Sequence, residues 1–319
     1  MLFITNRAPT GSIRFKKNRP FKFDLRKNAP SNSIYCCERL GDHDYQEIGS
    51  DNLMARLKVS DKQQILLFIH GFSNEPEPDI FPRVAKLQKY FDDKDPKLVL
   101  VVPLIWPCDT DIGIIKDYWD DQKSADKSAF SFARALQFFM AWRDKAPDNN
   151  PCLKRINILA HSMGNRVFRE TLSVWDKYDL ANGVPLLFRN TILMAADIVN
   201  ESLEDDQDGR LISQASRNVS VYYASDDLAL RSSKISNLKN KVASRRLGHT
   251  GPEDMDKVQS NVYAIDCDNF NNKYDMPKGH SYFLDDGDDQ VGRVFEHMYN
   301  TIATGRVLVD DEQTRKCIL

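Results

Sequence analysis

The residues best suited to chemistry lie in a short turn with the sequence AHSMG at positions 160–164. An apolar run typical of a buried strand, RINILAH, leads into this turn, and a helical pattern begins directly after it. A serine on a sharp strand-to-helix turn is the arrangement of a nucleophile elbow, which presents the hydroxyl to an acyl group. So sharp a turn needs small residues two positions before and after the serine, and Ala160 and Gly164 meet this need. We therefore predict Ser162 as a nucleophile.

A serine hydroxyl is a poor nucleophile at neutral pH, so a base must take its proton. Where the serine stands on such a turn, the acid and then the histidine follow it in the chain, which leaves His249, His280 and His297 as candidates. His297 falls inside a terminal amphipathic segment, where packing is the simpler role, and His249 precedes the last predicted core strand. His280 lies in PKGHSYF, between that strand and the last helix. We predict His280 as the base.

A carboxylate should hold the far nitrogen of this histidine and thereby fix its tautomer. It is expected to follow one of the two strands after the elbow helix. Asp197 ends the run NTILMAAD, whereas Asp226 and Asp227 follow the run NVSVYYAS. The later strand is the usual source of the acid, and Asp227 directly precedes a helix-like segment that Asp226 could instead cap. We predict Asp227, with Asp226 and then Asp197 as alternatives.

Attack on a carbonyl also requires donors for the oxyanion that forms. The backbone N–H of Met163, directly after the serine, is one predicted donor. The other is the N–H of Phe72 in the segment FIHGFSNEP, which ends an earlier apolar strand. Gly71 precedes it and lets the backbone come close to a substrate.

Aromatic residues in the loops at the same edge of the sheet could line a substrate pocket. Trp106, Tyr118 and Trp119 belong to IWPCDTDIGIIKDYWDDQ, which we predict to be a long loop. Together with His70 they are predicted to contact the acyl or alcohol group, and a packed surface loop is the alternative. We find no inserted helical lid, so a long-chain lipid substrate is not favoured.

The elements that must position these residues follow an α/β pattern, in which apolar runs alternate with amphipathic segments from about residue 64 onward. This predicts a mostly parallel sheet with helices on both faces, preceded by an antiparallel N-terminal edge. We predict a single domain over 1–319, with edge strands in 1–60, a catalytic core in 61–305 and a tail in 306–319. The predicted core strands are 65–70, 97–106, 155–161, 190–197, 218–225 and 261–266, and the predicted helices are 80–91, 128–146, 165–178, 228–244 and 290–303.

Several short motifs occur together in one order along the chain. They are HGF at 70–72, Trp106-Pro107, AHSMGNR at 160–166, YYASDDLAL at 222–230, RRLG at 245–248 and GHSYF at 279–283. In this combination the chain resembles the α/β-hydrolase superfamily, and more narrowly a bacterial branch of largely uncharacterised serine hydrolases. The resemblance implies an α/β-hydrolase fold and a catalytic triad of Ser162, Asp227 and His280. It does not imply a substrate.

Composition argues against several kinds of partner. Basic and acidic residues nearly cancel, 44 against 46, so we expect neither nucleic acid nor stable membrane association. The sequence shows no secretory signal and no long apolar run, and the six cysteines show no CxxC spacing, which together predict free thiols in a cytoplasmic protein. We find no glycine-rich nucleotide motif after a strand and no EF-hand spacing in the acidic runs, so we predict no cofactor and no metal.

These observations predict a serine hydrolase that cleaves a carboxylic ester (EC 3.1.1) of a small molecule through an acyl-enzyme. A thioesterase, an amidase or an acyltransferase would use the same residues. A protein of the same fold that only binds a ligand is the alternative from another class, because a fold does not by itself determine a function.

Overall fold

The chain divides into two compact units, residues 1–155 with 170–183 and residues 156–169 with 184–319. The structure is a computed structural model that describes residues 1–16, 18–108, 114–145, 150–230, 245–269, 271, 279–285 and 290–319. Most of the helix predicted at 228–244 lies outside the described residues. The single domain over 1–319 stays a prediction.

The first unit contains parallel strands that continue into an antiparallel edge. Strands β5, β6 and β1 are parallel neighbours, and the sheet continues through β3, β4 and β2 in antiparallel pairs. The antiparallel N-terminal edge is therefore confirmed. The strands are β1 (Leu2–Arg7), β2 (Arg19–Phe21), β3 (Pro30–Gly41), β4 (Asp44–Glu47), β5 (Gln64–Ile69) and β6 (Val99–Ile105), and the helices are α1 (Ser50–Val59), α2 (Phe81–Lys94) after a π-helical turn at Pro76–Ile80, and α3 (Ile114–Asp144).

Helix α2 illustrates how the sequence pattern positions the helices of this unit. Val84, Leu87 and Phe91 recur three and four residues apart and are fully buried, on a stripe of the helix that contacts β6. Burial of one such side chain stabilises the fold by about 1.5–3 kcal/mol. The helix was predicted at 80–91, so its observed end at Lys94 extends the prediction by one turn.

The second unit is built on parallel strands in the order β7-β8-β9-β10-β11. Because the strands are parallel, the segments that follow them emerge at one edge, and Ser162, Asp227 and His280 lie on such segments. The strands are β7 (Arg155–His161), β8 (Phe188–Met194), β9 (Ser216–Tyr223), β10 (Val262–Asp266) and β11 (Lys316–Ile318). The helices are α4 (Gly164–Asp179), α5 (Arg210–Gln214) after a 3₁₀ turn at Asn200–Leu203, α6 (Leu247–Thr250) and α7 (Arg293–Thr304). The residues of α4 from 170 onward belong to the first unit.

A row of buried asparagines fixes the register of these strands. Asn157, Asn190 and Asn218 lie opposite one another on β7, β8 and β9. The Asn190 amide donates to Asn157 Oδ1 at 2.8 Å, and the Asn218 amide donates to Asn190 Oδ1 at 2.9 Å. A slip of one residue would turn these side chains to the other face of the sheet and leave buried amides unpaired. The row therefore aligns the strand ends that carry the site.

The α/β class is confirmed: the strands form a mostly parallel sheet, accompanied by helices and bounded by antiparallel strands at the N-terminal edge. Among the helices described, none has the length and apolar character needed to cross a bilayer.

Candidate active site

Ser162 lies on the turn that joins β7 to α4, in the second unit. Its φ of 53° falls in the left-handed region, which a residue other than glycine enters at a cost. Hydrogen bonds on both sides hold this conformation. The Ser162 N–H donates to the carbonyl of Met194 at 3.0 Å, and the Ser162 carbonyl accepts from the N–H groups of Asn165 at 3.1 Å and Asp197 at 3.2 Å. The serine is thus held in the strained backbone that a nucleophile elbow requires.

His280 and Asp227 are joined directly. The Nδ1–H of His280 donates to Asp227 Oδ2 at 2.7 Å, and the aspartate is fully buried. The other carboxylate oxygen, Oδ1, accepts from the N–H of Leu230 at 2.9 Å, so both oxygens of Asp227 have partners. This arrangement places the imidazole hydrogen on Nδ1 and leaves Nε2 as the atom that can accept a proton. It is the geometry expected of a base and its orienting acid.

The other two candidate acids have different partners. Asp226 accepts a hydrogen bond from the side-chain amide of Asn271. Asp197 forms a buried ion pair with Arg246, with 3.2 Å between Oδ1 and Nε. Of the three aspartates, the structure therefore brings Asp227 to the imidazole of His280.

The residue before the nucleophile also contacts the base. The Nε2–H of His161 donates to the backbone carbonyl of His280 at 3.2 Å, and the centres of the two imidazole rings are 4.9 Å apart. His161 is the last residue of β7 and is almost fully buried. No role was predicted for it from the sequence, although it directly precedes Ser162.

In the first unit, His70 and Trp106 form a tightly bonded pair behind the predicted oxyanion segment. Their rings stack at 5.2 Å, His70 Nδ1–H donates to the carbonyl of Gly71 at 2.9 Å, and the Trp106 N–H donates to His70 Nε2 at 3.1 Å. Burial lowers the pKa of His70 to about 3, so the ring is neutral. Both side chains are fully buried, which gives them a packing role, and their contact with substrate stays a prediction.

Phe72 itself lies in a bonded turn of the same unit. Its carbonyl accepts from the Asn74 side chain at 2.5 Å, and the next residue, Ser73, has a φ of 54°. The fully buried thiol of Cys108 holds this turn through two hydrogen bonds. Its sulfur accepts from the Asn74 N–H at 3.3 Å and donates to the Asn74 carbonyl at 3.1 Å. The roles of Phe72 and Met163 as oxyanion donors stay predictions.

The predicted loop at 105–122 is wrong from residue 114 onward, where α3 begins. The polar residues among IIKDYWDDQKSADK concealed the helix, which continues into the apolar stripe predicted at 128–146. Tyr118 therefore lies on a helix, is buried, and packs edge-on against the Phe72 ring at 5.8 Å. The side chain of Trp119 lies outside the described residues.

The two remaining candidate bases lie elsewhere. His297 is buried on α7, where its Nδ1 accepts from the hydroxyl of Tyr222 at 2.7 Å and its Nε2–H donates to the carbonyl of Leu308 at 2.8 Å. Burial lowers the pKa of His297. His249 lies on the short helix α6. Packing of His297 agrees with the expectation from its place in an amphipathic segment.

The sequence pattern of a family described as "alpha/beta hydrolase of unknown function" (DUF900) matches residues 46–288. The chain belongs to this family. The resemblance to α/β hydrolases is thereby confirmed, and the motifs from 70–72 to 279–283 all fall within the matched range. No curated protein matches the chain.

Among solved structures, this α/β hydrolase is similar to phospholipase PlaB from Legionella pneumophila. The identity is 16% and the TM-score 0.30, over 73% of this chain and 44% of PlaB. The structure of PlaB in complex with thio-NAD gives the same identity and TM-score, over 67% of this chain and 39% of PlaB. The chain therefore spans about two fifths of the length of PlaB.

Two features of this α/β hydrolase explain why the RRLG motif adjoins the site. Arg246 forms the ion pair with Asp197, whose N–H holds the carbonyl of Ser162. Gly248 packs on the backbone that follows β8, where an added Cβ would lie 2.1 Å from the nitrogen of Ala196. The motif therefore stabilises the backbone segment that contacts the Ser162 carbonyl, a role that was not predicted from the sequence.

Asn165 was missed as well. Its buried side-chain amide donates to the carbonyls of Ala160 at 3.0 Å and Ser162 at 2.9 Å, and so ties the end of β7 to the turn. A polar residue on the first helical turn after the serine was the available signal. Within the described part of the chain, no cluster of three or more histidine, cysteine or acidic side chains is arranged to hold a metal ion.

Proposed function

We propose that the chain is a serine hydrolase that cleaves a carboxylic ester (EC 3.1.1), with Ser162 as nucleophile, His280 as base and Asp227 as the acid that orients it. The observation that carries the proposal is the 2.7 Å hydrogen bond from His280 Nδ1 to Asp227 Oδ2. Both residues lie on segments that follow strands parallel to β7, the strand that leads to Ser162. Membership of an α/β-hydrolase family supports it.

The base acts through Nε2, the ring nitrogen that does not contact Asp227. As Ser162 Oγ attacks the carbonyl carbon, its proton passes to Nε2 of His280. The imidazolium that results is stabilised by the buried carboxylate. Because Leu230 holds the second oxygen of that carboxylate, Asp227 keeps its orientation during the transfer.

The oxyanion forms at a place where backbone donors are available. Met163 directly precedes α4, and the N–H groups at the start of a helix have no acceptor within the helix. The helix dipole adds a partial positive charge at the same point. A second donor from the N–H of Phe72 stays a prediction from the HGF motif.

The proton on His280 then passes to the leaving alcohol, and the ester C–O bond breaks to give an acyl-enzyme on Ser162. Water attacks this intermediate with His280 again as base, and the acid product leaves. A thioester or an amide would react by the same steps with a different leaving group. The substrate is a small acyl compound, and the cytoplasmic location stays a prediction.

Hydrolysis of a matched set of substrates tests this assignment. The set contains 4-nitrophenyl butyrate, a butyryl thioester and a butyryl anilide, assayed with the unmodified chain, Ser162→Ala and Ser260→Ala. Ser260 is exposed in the same unit and serves as the control. We expect ester turnover to be fastest, lost in Ser162→Ala and kept in Ser260→Ala. Turnover of none of the substrates by folded protein would favour a ligand-binding role and overturn the proposal.

A further inference from the structure

The side chain of His161 holds the segment that carries His280 to the turn that carries Ser162. His161 donates through Nε2–H to the backbone carbonyl of His280 at 3.2 Å. The His161 ring also packs against the ring of His280, at 4.9 Å between centres, and against that of Phe283, at 5.1 Å. Since His161 is bonded covalently to Ser162, this contact couples the backbone of the base to the backbone of the nucleophile.

A second side chain holds the residue before the base. The amide of Asn271, which is fully buried, donates to the carbonyl of Gly279 at 3.1 Å and to the carboxylate of Asp226. Gly279 has a φ of 60°, so the backbone turns sharply just before His280. Asp226 and Asp227 thus act on different parts of the same segment, Asp226 through Asn271 on its backbone and Asp227 on the imidazole.

We propose that His161 is a positioning residue that fixes the backbone of His280 relative to Ser162, so that Nε2 of the base stays within reach of the serine hydroxyl. The inference rests on the proposed function and adds a residue to it. Asp227 restrains the far side of the imidazole ring, and His161 restrains the main chain from which that ring projects.

The two restraints are both needed for geometric reasons. Proton transfer requires about 2.6–3.2 Å between the hydroxyl oxygen and the base. A hydrogen bond at Nδ1 alone leaves the ring free to swing about that contact when the backbone moves. A displacement of about 1 Å at a reacting group costs on the order of 10²-fold in rate. Release of the His280 carbonyl is therefore expected to slow acylation without weakening substrate binding.

Two substitutions separate the hydrogen bond from the volume of the ring. His161→Met fills a similar space and has no donor, whereas His161→Gln keeps an N–H of comparable reach. His43→Asn is the control, because His43 is exposed and Asn tolerates its φ of 57°. Folding of each variant is checked by its thermal unfolding midpoint.

The rate constant for labelling by a fluorophosphonate probe reports the attack by Ser162 directly, because the serine is phosphonylated in the same way as it is acylated by an ester. In this reaction the bond from Ser162 Oγ to phosphorus forms, the phosphorus–fluorine bond breaks, fluoride leaves, and the hydroxyl proton passes to His280. We expect labelling to slow by about 10–100-fold in His161→Met and to stay within about threefold in His161→Gln. With 4-nitrophenyl butyrate, kcat should fall by a similar factor while KM stays within about threefold.

Equal rates for His161→Met and the unmodified chain would overturn the inference, and so would equal losses in His161→Met and His161→Gln. Combination with His280→Ala adds a further test, because a residue that acts through His280 has no further effect once that base is removed. A second loss of the same size in the double variant would contradict the inference. If the unmodified chain itself is not labelled at Ser162, the proposed function fails instead.

Discussion

Replacement of Asp227 by asparagine tests the pairing of acid and base. The Oδ1 of the new residue can still accept from the Leu230 N–H, so the local turn is expected to persist. Its amide nitrogen, however, then faces Nδ1 of His280, where a carboxylate oxygen accepts at 2.7 Å. Two N–H donors cannot hydrogen-bond to each other, so Nδ1 must become the acceptor. The imidazole then takes the tautomer with its hydrogen on Nε2 and can no longer accept the serine proton.

The expected loss is large because the chemistry, and not the fold, is affected. A wrong tautomer in a serine triad lowers kcat by about 10⁴-fold, which corresponds to about 5.5 kcal/mol of transition-state stabilisation. Asp226→Asn is the matched neighbour, since an asparagine oxygen can still accept from Asn271. We expect that variant to stay within about tenfold of the unmodified chain.

Initial rates with 4-nitrophenyl butyrate, measured beside thermal unfolding midpoints, give both quantities. Asp197→Asn needs the stability measurement most, because it leaves the buried Arg246 without its carboxylate, a change that costs about 3–5 kcal/mol in buried pairs. If Asp227→Asn retains a tenth of the activity, or if Asp226→Asn loses as much as Asp227→Asn does, the assignment of the acid is refuted.

Two further predictions concern stability. Gly248→Ala should lower the free energy of unfolding by about 1–3 kcal/mol because its Cβ would clash with the backbone at Ala196. The control is Gly41→Ala, which has open space around it and should change the free energy of unfolding by less than about 0.5 kcal/mol. Equal effects of the two substitutions in urea unfolding would disprove the contact. Burial favours a raised pKa for Glu77, but hydrogen bonds from Arg39 and other donors outweigh burial and hold the pKa at about 2, below the ordinary 4.5. This carboxylate therefore stabilises the fold fully above pH 4.5 and progressively less as the pH falls towards 2. Glu77→Gln should therefore cost about 1–3 kcal/mol at pH 7 and less at pH 3 in the same assay, and a cost independent of pH would contradict the assignment.

Much of the second unit was predictable because its strands are long, apolar and buried on both faces. The predicted strand at 155–161 coincides with β7, and the run 261–266 differs from β10 by one residue. Parallel strands bring their following segments to one edge, so the chain order of Ser162, Asp227 and His280 was enough to predict that the acid and the base would meet.

The elements that were missed give weak signals of their own. Strands β2 and β11 have three residues each, too few for an alternating pattern to be recognised. Helix α1 carries a buried stripe, Leu53, Met54 and Leu57, but lies in a region that was assigned to edge strands. These elements are stabilised by partners distant in sequence, which a local pattern does not reveal.

In the site, the roles of His161 and Asn271 depend on the path of the chain near His280. The contact between His161 Nε2 and the His280 carbonyl joins residues 119 positions apart. The sequence indicated which side chains could do chemistry, but not which backbone carbonyls would lie beside them. Side chains that hold the backbone were therefore overlooked, whereas the candidates for the nucleophile, base and acid were found.

The most direct test of the central claim is to react the folded chain with a fluorophosphonate probe and to locate the adduct by peptide mass spectrometry. The proposed mechanism predicts one adduct per chain, on Ser162, and none in Ser162→Ala. Folded protein that takes up no probe, or an adduct on a different residue that persists in Ser162→Ala, would contradict the assignment of Ser162 as the nucleophile.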